Sequence, residues 1–101
     1  MIKATVLFGH PVNPDSFERY YFETHLPLVV KASGMVKTEY TKFLSNPDGT
    51  AAAYYRMAEL YFPGPNEMQQ TLGSPEGKAM ADDLANFATG GVTIIVGVVE
   101  P

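Results

Sequence analysis

Residues 35–62 read MVKTEYTKFLSNPDGTAAAYYRMAELYF, and this stretch decides the fold. Residues 35–44 alternate with period two, and residues 53–62 are rich in aromatic and apolar side chains, so each part is typical of a β-strand. Between them, Ser45-Asn46-Pro47-Asp48-Gly49 contains the residues that favour a turn. The stretch therefore predicts an antiparallel hairpin.

A strand and a helix precede this hairpin, and a helix and a strand follow it. Residues 2–8 are apolar and β-branched, and residues 14–32 predict a helix. Two shorter helices are expected at residues 66–72 and 75–87, before a last strand at residues 92–99. The order β-α-β-β-α-β predicts a ferredoxin-like α+β fold, with a four-stranded antiparallel sheet and helices on one face. The length of 101 residues predicts a single domain over positions 1–101.

The first helix has a clear start and an unusual interior. Pro14 suits the first helical position, and Asp15 with Glu18 three residues later fits a capping box. Pro27 lies inside the predicted helix, where it removes a backbone hydrogen bond. A kink or an early end is therefore expected at Pro27.

The alternation of the third strand predicts which side chains face the helices. One set is expected under the helices and the other on the opposite face of the sheet: Ala58, Leu60 and Phe62 in the first, Tyr55, Met57, Glu59 and Tyr61 in the second. The second set is too apolar to leave fully solvated. A second copy of the chain covering this open face, in a homodimer, is therefore expected.

Composition excludes several classes of function. The net charge is −4 and the seven Lys and Arg residues are scattered, which argues against nucleic acid and anionic membranes as partners. The chain has no cysteine, so disulfides and thiolate catalysis are excluded. It has no signal-peptide pattern and no apolar run of the ~20 residues that cross a membrane, so a cytoplasmic protein is expected. It has no glycine-rich nucleotide motif either, and no cofactor is predicted.

His25 is the leading candidate for chemistry. Phe17, Tyr21 and His25 follow one another at four-residue spacing, so all three can lie on one helix face. Because the charge of histidine changes near neutral pH, His25 suits general acid–base catalysis. The alternative is a buried structural histidine that bonds a backbone carbonyl. His10, in the loop after the first strand, could likewise reach a pocket or simply be exposed.

Two acidic features have alternative interpretations. Glu59 on the third strand could be a partly buried acid–base group, or it could pair across strands with a cation, either Arg56, Lys37 or Lys42. Asp82 and Asp83 are adjacent and diverge on a helix, so they are not expected to act as a catalytic pair. No carboxylate stands at ligand spacing from either histidine, so no metal site is predicted.

The chain resembles the EthD family of the dimeric α/β-barrel superfamily. The resemblance is carried by several blocks in the right order: Tyr20-Tyr21-Phe22-Glu23-Thr24-His25-Leu26-Pro27-Leu28, Tyr55-Arg56-Met57-Ala58-Glu59-Leu60-Tyr61-Phe62, Ser74-Pro75-Glu76-Gly77 and Asn86-Phe87-Ala88-Thr89-Gly90-Gly91. It implies a dimeric barrel with a substrate cleft between helices and sheet. It also implies that His25 stands near the mouth of that cleft, with Tyr21 beside it.

The resemblance and the residues together lead to three functional hypotheses. The first is a cofactor-independent oxidoreductase or monooxygenase-like enzyme for a small hydrophobic or aromatic molecule, with His25, Tyr21 and Glu59 as the catalytic residues. Its substrate pocket is expected to contain Phe17, Tyr55, Met57 and Phe87. The second is a non-catalytic ligand-binding or accessory dimer of a degradation pathway, as in ethyl tert-butyl ether degradation. The third is a haem-binding relative with His25 as the axial ligand.

Overall fold

The structure is a computed structural model that describes all 101 residues. In chain order, the elements are β1 Ile2–Phe8, α1 Pro14–Tyr20, a π-helical turn Tyr21–His25, α2 Leu26–Lys31, β2 Lys37–Lys42, β3 Arg56–Phe62, α3 Pro65–Gly73, α4 Pro75–Phe87 and β4 Val92–Val98. The four strands form one antiparallel sheet in the order β2-β3-β1-β4. The predicted element order and ferredoxin-like arrangement are confirmed. Strands β2 and β3 are shorter than the predicted strands at residues 35–44 and 53–62, and the connection between them is correspondingly longer.

The side chain that caps α1 is Asn13. Its Oδ1 accepts a hydrogen bond from the Ser16 N–H at 3.1 Å, and Pro14 occupies the first turn as predicted. The predicted capping box is wrong, because Glu18 does not fold back to the helix start. It instead binds the guanidinium of Arg56 on β3, a charged partner that sequence proximity does not reveal.

A π-helical turn accommodates Pro27 without ending the helix. The Leu26 N–H bonds the Tyr21 carbonyl five residues back, so the backbone is wider here than in an α-helix. In a regular α-helix the proline ring would press against the carbonyl four residues earlier. The expected early end is therefore absent, and the helix continues to Lys31. Such turns occur frequently at functional sites, and this one carries both Tyr21 and His25.

Strand β3 presents one buried face to the helices. Ala58 and Leu60 lie opposite Val6 and Ala4 of β1 and are buried, as is Phe62. This half of the predicted alternation is confirmed. The other face carries residues of the opposite parity, Met57, Glu59 and Tyr61, paired with Leu7, Thr5 and Lys3 of β1.

Tyr55 departs from the predicted alternation. It precedes β3, and its ring packs edge-on against Phe17 of α1 at 5.1 Å between ring centroids. The expectation that it faces the open side of the sheet is therefore wrong. Alternation holds only within the regular strand, and Tyr55 lies in the connection just before it.

The loop after β1 crosses the loop before β4 at very close range. A Cβ atom on Gly9 would lie 2.1 Å from the carbonyl oxygen of Gly90, so a side chain does not fit there. The Gly9 N–H also bonds the Gly91 carbonyl at 3.0 Å. This crossing ties the end of α4 to the end of β1 and so holds Phe87 against Phe8.

Candidate active site

An apolar cavity of about 170 Å³ lies between the helices and the sheet. Fourteen of its fifteen lining residues are aliphatic or aromatic, and the other is His25. The lining residues are Ala4, Val6, Phe8, Tyr21, His25, Leu26, Val29, Tyr40, Ala58, Leu60, Leu72, Met80, Ala81, Leu84 and Ile94. A ligand in this cavity would meet one titratable imidazole in otherwise hydrophobic surroundings.

The imidazole of His25 is paired with a buried carboxylate. Its Nδ1 lies 2.9 Å from Oδ2 of Asp83 on α4, and the two residues are only 6% and 7% exposed. The carboxylate accepts the Nδ1–H, which leaves the lone pair on Nε2. Nε2 makes no hydrogen bond within the chain, and His25 lines the cavity. The arrangement is that of a general base oriented by an acidic partner. The partner of the buried His25 is thus a carboxylate and not the backbone carbonyl named in the structural alternative.

Two further side chains hold Asp83 in place. The Tyr20 hydroxyl donates to Oδ1 at 2.5 Å, and the Asn86 amide donates to the same oxygen at 3.0 Å. Burial by itself raises the pKa of Asp83, but the hydrogen bonds from Tyr20, Asn86 and His25 outweigh it and leave that pKa below its ordinary value. Asp83 is therefore an anion at neutral pH.

Burial keeps His25 in its neutral form. Desolvation lowers the pKa of His25, and the hydrogen bond and negative charge of Asp83 only partly oppose this effect. The pKa of His25 thus lies below the ordinary value of about 6.5. The imidazole is consequently a base throughout the neutral range, and it becomes protonated only as the pH falls through that lowered value.

Tyr21 lies beside His25 and carries an unsatisfied hydroxyl. Its ring stacks on the imidazole with centroids 5.9 Å apart, and the residue is completely buried. The hydroxyl oxygen has no hydrogen-bond partner. Burial raises the pKa of Tyr21 far above its ordinary value, although the Arg56 guanidinium above the ring opposes this rise. Tyr21 therefore remains a protonated hydrogen-bond donor.

Tyr20→Phe is expected to raise the pKa of His25. Without the hydrogen bond from Tyr20, the Asp83 carboxylate interacts more strongly with the imidazole. The protonated form of His25 therefore becomes more favourable. NMR titration of the His25 ring protons measures this shift. An unchanged or lowered His25 pKa would show that Tyr20 does not act on the imidazole through Asp83.

Aromatic side chains that do not line the cavity pack against Tyr21 and His25. Phe87 lies 4.6 Å from the His25 ring, and Phe17 stacks on Tyr21 at 5.4 Å, measured between ring centroids. None of the four residues predicted for the substrate pocket lines the cavity. Phe17 and Phe87 support Tyr21 and His25 from outside it, Tyr55 packs on Phe17, and Met57 lies on the opposite face of the sheet.

Glu59 is placed away from His25. It forms an ion pair with Lys3 of β1 at 2.8 Å, on the face of the sheet that the helices do not cover. The predicted ion pair exists, but the partner is none of the three cations named for it. Glu59 reaches Lys3 because β1 lies directly beside β3 in the sheet. The structure therefore brings Tyr21 to His25 but leaves Glu59 outside the site.

Asp83 is the residue that sequence reasoning missed. Asp83, Leu84 and Phe87 lie three, four and seven residues after Met80, so the four residues share one face of α4. A carboxylate on an otherwise apolar helix face is expensive to bury unless it has a partner. The position of Asp83 within this apolar stripe is the signal in the sequence that points to a buried partner.

Several other groups do not contribute to this site. His10 bonds the Ala52 carbonyl at 2.7 Å in an exposed loop. No three His, Cys, Asp or Glu side chains come together as metal ligands would. The cavity is smaller than the roughly 300 Å³ at the lower end for sites of drug-sized ligands. No helix is both long and apolar enough to span a bilayer.

Comparison with known proteins places the chain in a family. The EthD domain model matches residues 9–91. An uncharacterised 11.0 kDa protein of Rhodococcus erythropolis, encoded in the thcB-thcC intergenic region, is 37% identical over 95 residues, which are 94% of this chain and 91% of the relative. The chain belongs to the EthD family. The crystal structure of an EthD family protein from Bacillus halodurans superimposes with a TM-score of 0.92, at 31% identity and 99% coverage of both chains.

More distant structures share the fold of this EthD protein. A hydroxynitrile lyase from Passiflora edulis has a TM-score of 0.76 at 13% identity and covers 98% of this chain and 94% of its own. A cofactor-independent oxygenase from Streptomyces nogalater has a TM-score of 0.64 at 14% identity, with coverage of 99% and 92%. At these identities the likeness concerns the fold alone.

Proposed function

We propose that this EthD protein binds a small apolar or aromatic molecule in the cavity and moves a proton to or from it with His25. The observation that carries the proposal is the His25–Asp83 pair, buried at 2.9 Å and with Nε2 left free at an apolar cavity. Asp83 fixes the tautomer in which Nε2 is the base. When Nε2 takes the proton, the imidazolium that forms is stabilised by the adjacent Asp83 carboxylate.

The residues of the chain are sufficient for this proton transfer without a cofactor. The substrate's C–H or O–H bond breaks, its electron pair stays on the substrate, and the proton joins Nε2. Cofactor-independent oxygenation would begin with the same step, because the carbanion that remains would react with dioxygen itself. The oxygenase and the lyase among the fold neighbours support the proposal only in showing that this fold can carry such activities.

The lining of the cavity favours a second candidate function. Fourteen apolar residues can bind a hydrophobic molecule without any chemistry, and this would suit an accessory or ligand-binding protein of a degradation pathway. The two functions share one cavity but differ in what happens to the bound molecule. A measurement of proton transfer therefore separates them.

We further propose that the protein is a homodimer joined through the open face of the sheet. A fold neighbour from Bacteroides fragilis, with a TM-score of 0.67 at 19% identity and coverage of 95% and 93%, is described as a dimeric protein. On the open face, Glu59 and Lys3 neutralise each other, while Ile95 remains about half exposed. This face therefore offers apolar area without an uncompensated charge. The cytoplasmic location stays a prediction.

Hydrogen–deuterium exchange of small carbon acids tests the proton transfer. A panel of single-ring phenols, quinones and ketones is incubated with the protein in D₂O, and NMR records both binding and the loss of C–H signal. We expect wild type to exchange at least one ligand and His25→Gln to lose about 10²- to 10⁴-fold of that rate. The Gln side chain can still donate to Asp83, so the fold should be retained.

His10→Gln is the matched control, because His10 is exposed and lies outside the cavity. It should keep the wild-type rate. Binding without exchange would favour the accessory function, whereas an exchange rate equal in wild type and His25→Gln would refute His25 as the base.

A further inference from the structure

We propose that the cavity selects an uncharged, ring-sized molecule that carries a hydroxyl group, and that this hydroxyl donates a hydrogen bond to Nε2 of His25. This assignment rests on the proposed function for the position of the ligand, and it adds the ligand's chemical class. Its basis is the set of polar atoms that a molecule in the cavity can reach.

Three of the residues that line the cavity have a side-chain nitrogen or oxygen: His25, Tyr21 and Tyr40. The Tyr21 hydroxyl is completely buried, so a ligand cannot reach it. Tyr40 lies on the edge strand β2 and is 36% exposed, so a ligand beside it would stay close to water. His25 is therefore the polar residue that a ligand inside the cavity would meet.

The Nε2 atom of His25 is both unpaired and accessible. It makes no hydrogen bond within the chain, yet it does not belong to the completely buried polar atoms that lack a partner. Part of its surface is therefore open to a neighbouring molecule, and the cavity is the space that His25 borders.

The pairing with Asp83 makes Nε2 an acceptor. Asp83 accepts the Nδ1–H at 2.9 Å, so Nε2 carries a lone pair and no hydrogen while the imidazole is neutral. Burial favours this neutral form, because it lowers the pKa of His25. A lone pair facing an apolar molecule has lost its hydrogen bond to water without replacement. A ligand hydroxyl supplies the missing donor, whereas a carbonyl or nitrile would bring a second acceptor.

The lining restricts both the charge and the size of the ligand. No Lys or Arg lines the cavity, so a carboxylate or phosphate would be buried without a counter-charge. The anionic Asp83 behind His25 would repel it further. The volume of about 170 Å³ is close to the roughly 150 Å³ of an engineered cavity that takes benzene. One ring with a short substituent is therefore the appropriate size.

Asp83→Asn is expected to reverse the hydrogen-bonding role of Nε2. Tyr20 and Asn86 both donate to Oδ1 of Asp83, so the amide oxygen of the variant should remain at that position. The NH₂ group then takes the place of Oδ2 and donates to Nδ1, and the ring hydrogen moves to Nε2. The cavity of this variant would present a donor instead of an acceptor.

Three ring compounds of similar size test the assignment: phenol has a donor, benzonitrile has only an acceptor, and toluene has neither. NMR titration gives the affinity of each compound for wild type and for Asp83→Asn. Because the compounds differ in hydration, the informative quantity is the ratio of two affinities within one protein. We expect Asp83→Asn to lower the phenol-to-benzonitrile ratio about 10-fold and to leave toluene binding unchanged.

The nitrogen-15 chemical shift of Nε2 gives a direct readout in wild type. This shift depends on whether the nitrogen accepts a hydrogen bond, so phenol should move it and toluene should leave it nearly unchanged. The same spectra show which ring nitrogen carries the hydrogen in Asp83→Asn.

Two variants serve as matched controls. Asp82→Asn makes the same chemical change at an exposed position of the same helix. Tyr40→Phe removes the other hydroxyl that a ligand could contact. Both variants should keep the wild-type ratio.

Three results would overturn the assignment: an Nε2 shift that does not respond to saturating phenol, a constant affinity ratio although the tautomer is reversed, or a ratio that falls as much in Tyr40→Phe as in Asp83→Asn. In each of these cases the compounds still bind, so the proposed function stands. If none of the three compounds binds to wild type, the proposed function fails together with the assignment.

Discussion

Asp83→Asn is expected to lower the rate of His25-dependent proton transfer by about 10³- to 10⁴-fold, the range seen when the acidic partner of a catalytic histidine is amidated. Asp83 now accepts the Nδ1–H of His25. An asparagine can present its NH₂ to Nδ1 instead, which moves the ring proton to Nε2. The nitrogen that faces the ligand would then carry a hydrogen and could not act as a base. The exchange rate of a bound carbon acid in D₂O, measured as a function of pH, provides the test.

The neighbouring carboxylate provides the control for this prediction. Asp82 is exposed and one residue away on the same helix, so Asp82→Asn makes the same chemical change outside the site. It should leave the rate unchanged. The wild-type rate should rise with pH through the lowered pKa of His25 and then level off through the neutral range. An Asp83→Asn rate within a few-fold of wild type would mean that the carboxylate does not set the tautomer.

Glu18→Gln is expected to destabilise the protein by about 3 kcal/mol at pH 7, the cost of leaving a buried charge without its partner. Arg56 is 6% exposed, and Glu18 receives hydrogen bonds from its Nε and one terminal nitrogen, at 2.8 and 2.6 Å. A glutamine can accept one of these bonds, but its NH₂ group would face the other donor. Lys42, 3.3 Å from Glu18, would lose its partner too. Urea denaturation at pH 7 measures the free energy of unfolding.

The pH dependence gives this prediction a second test. The hydrogen bond from Arg56 is the largest effect that lowers the pKa of Glu18, so the folded value lies below the ordinary one. The stabilisation is therefore complete above the unfolded value of about 4.3 and is lost as the pH falls through the folded pKa. The difference between wild type and Glu18→Gln should accordingly shrink in acid. Glu23→Gln, an exposed change on the same helical segment, should be nearly neutral.

Local signals were reliable where local physics decides the outcome. The turn after residue 44 and Pro14 at the start of α1 lie where the sequence predicts them. Each of these features involves residues within a few positions of one another, so their spacing in sequence is also their spacing in space.

Local rules failed for Glu18 and Glu59, where a distant partner competed, and for Pro27, where the local backbone adapted. Glu18 was expected to cap its own helix, but Arg56, 38 residues later, binds it more strongly because the arginine is buried and needs a counter-charge. Pro27 was expected to disturb the helix, but a π-helical turn absorbs it. Glu59 found its cation on β1 rather than on either of the nearer alternatives from β2.

The sequence by itself determined the order of the elements and the row of Phe17, Tyr21 and His25 on one side of the first helical segment, because periodicity and turn chemistry act over short distances. Only the tertiary structure decided that Asp83, 58 residues from His25, meets its imidazole and that Tyr21 has no partner for its hydroxyl. The physical reason is that a buried polar group is defined by everything packed around it. Those neighbours come from α1, α4 and the sheet, and only folding brings them together.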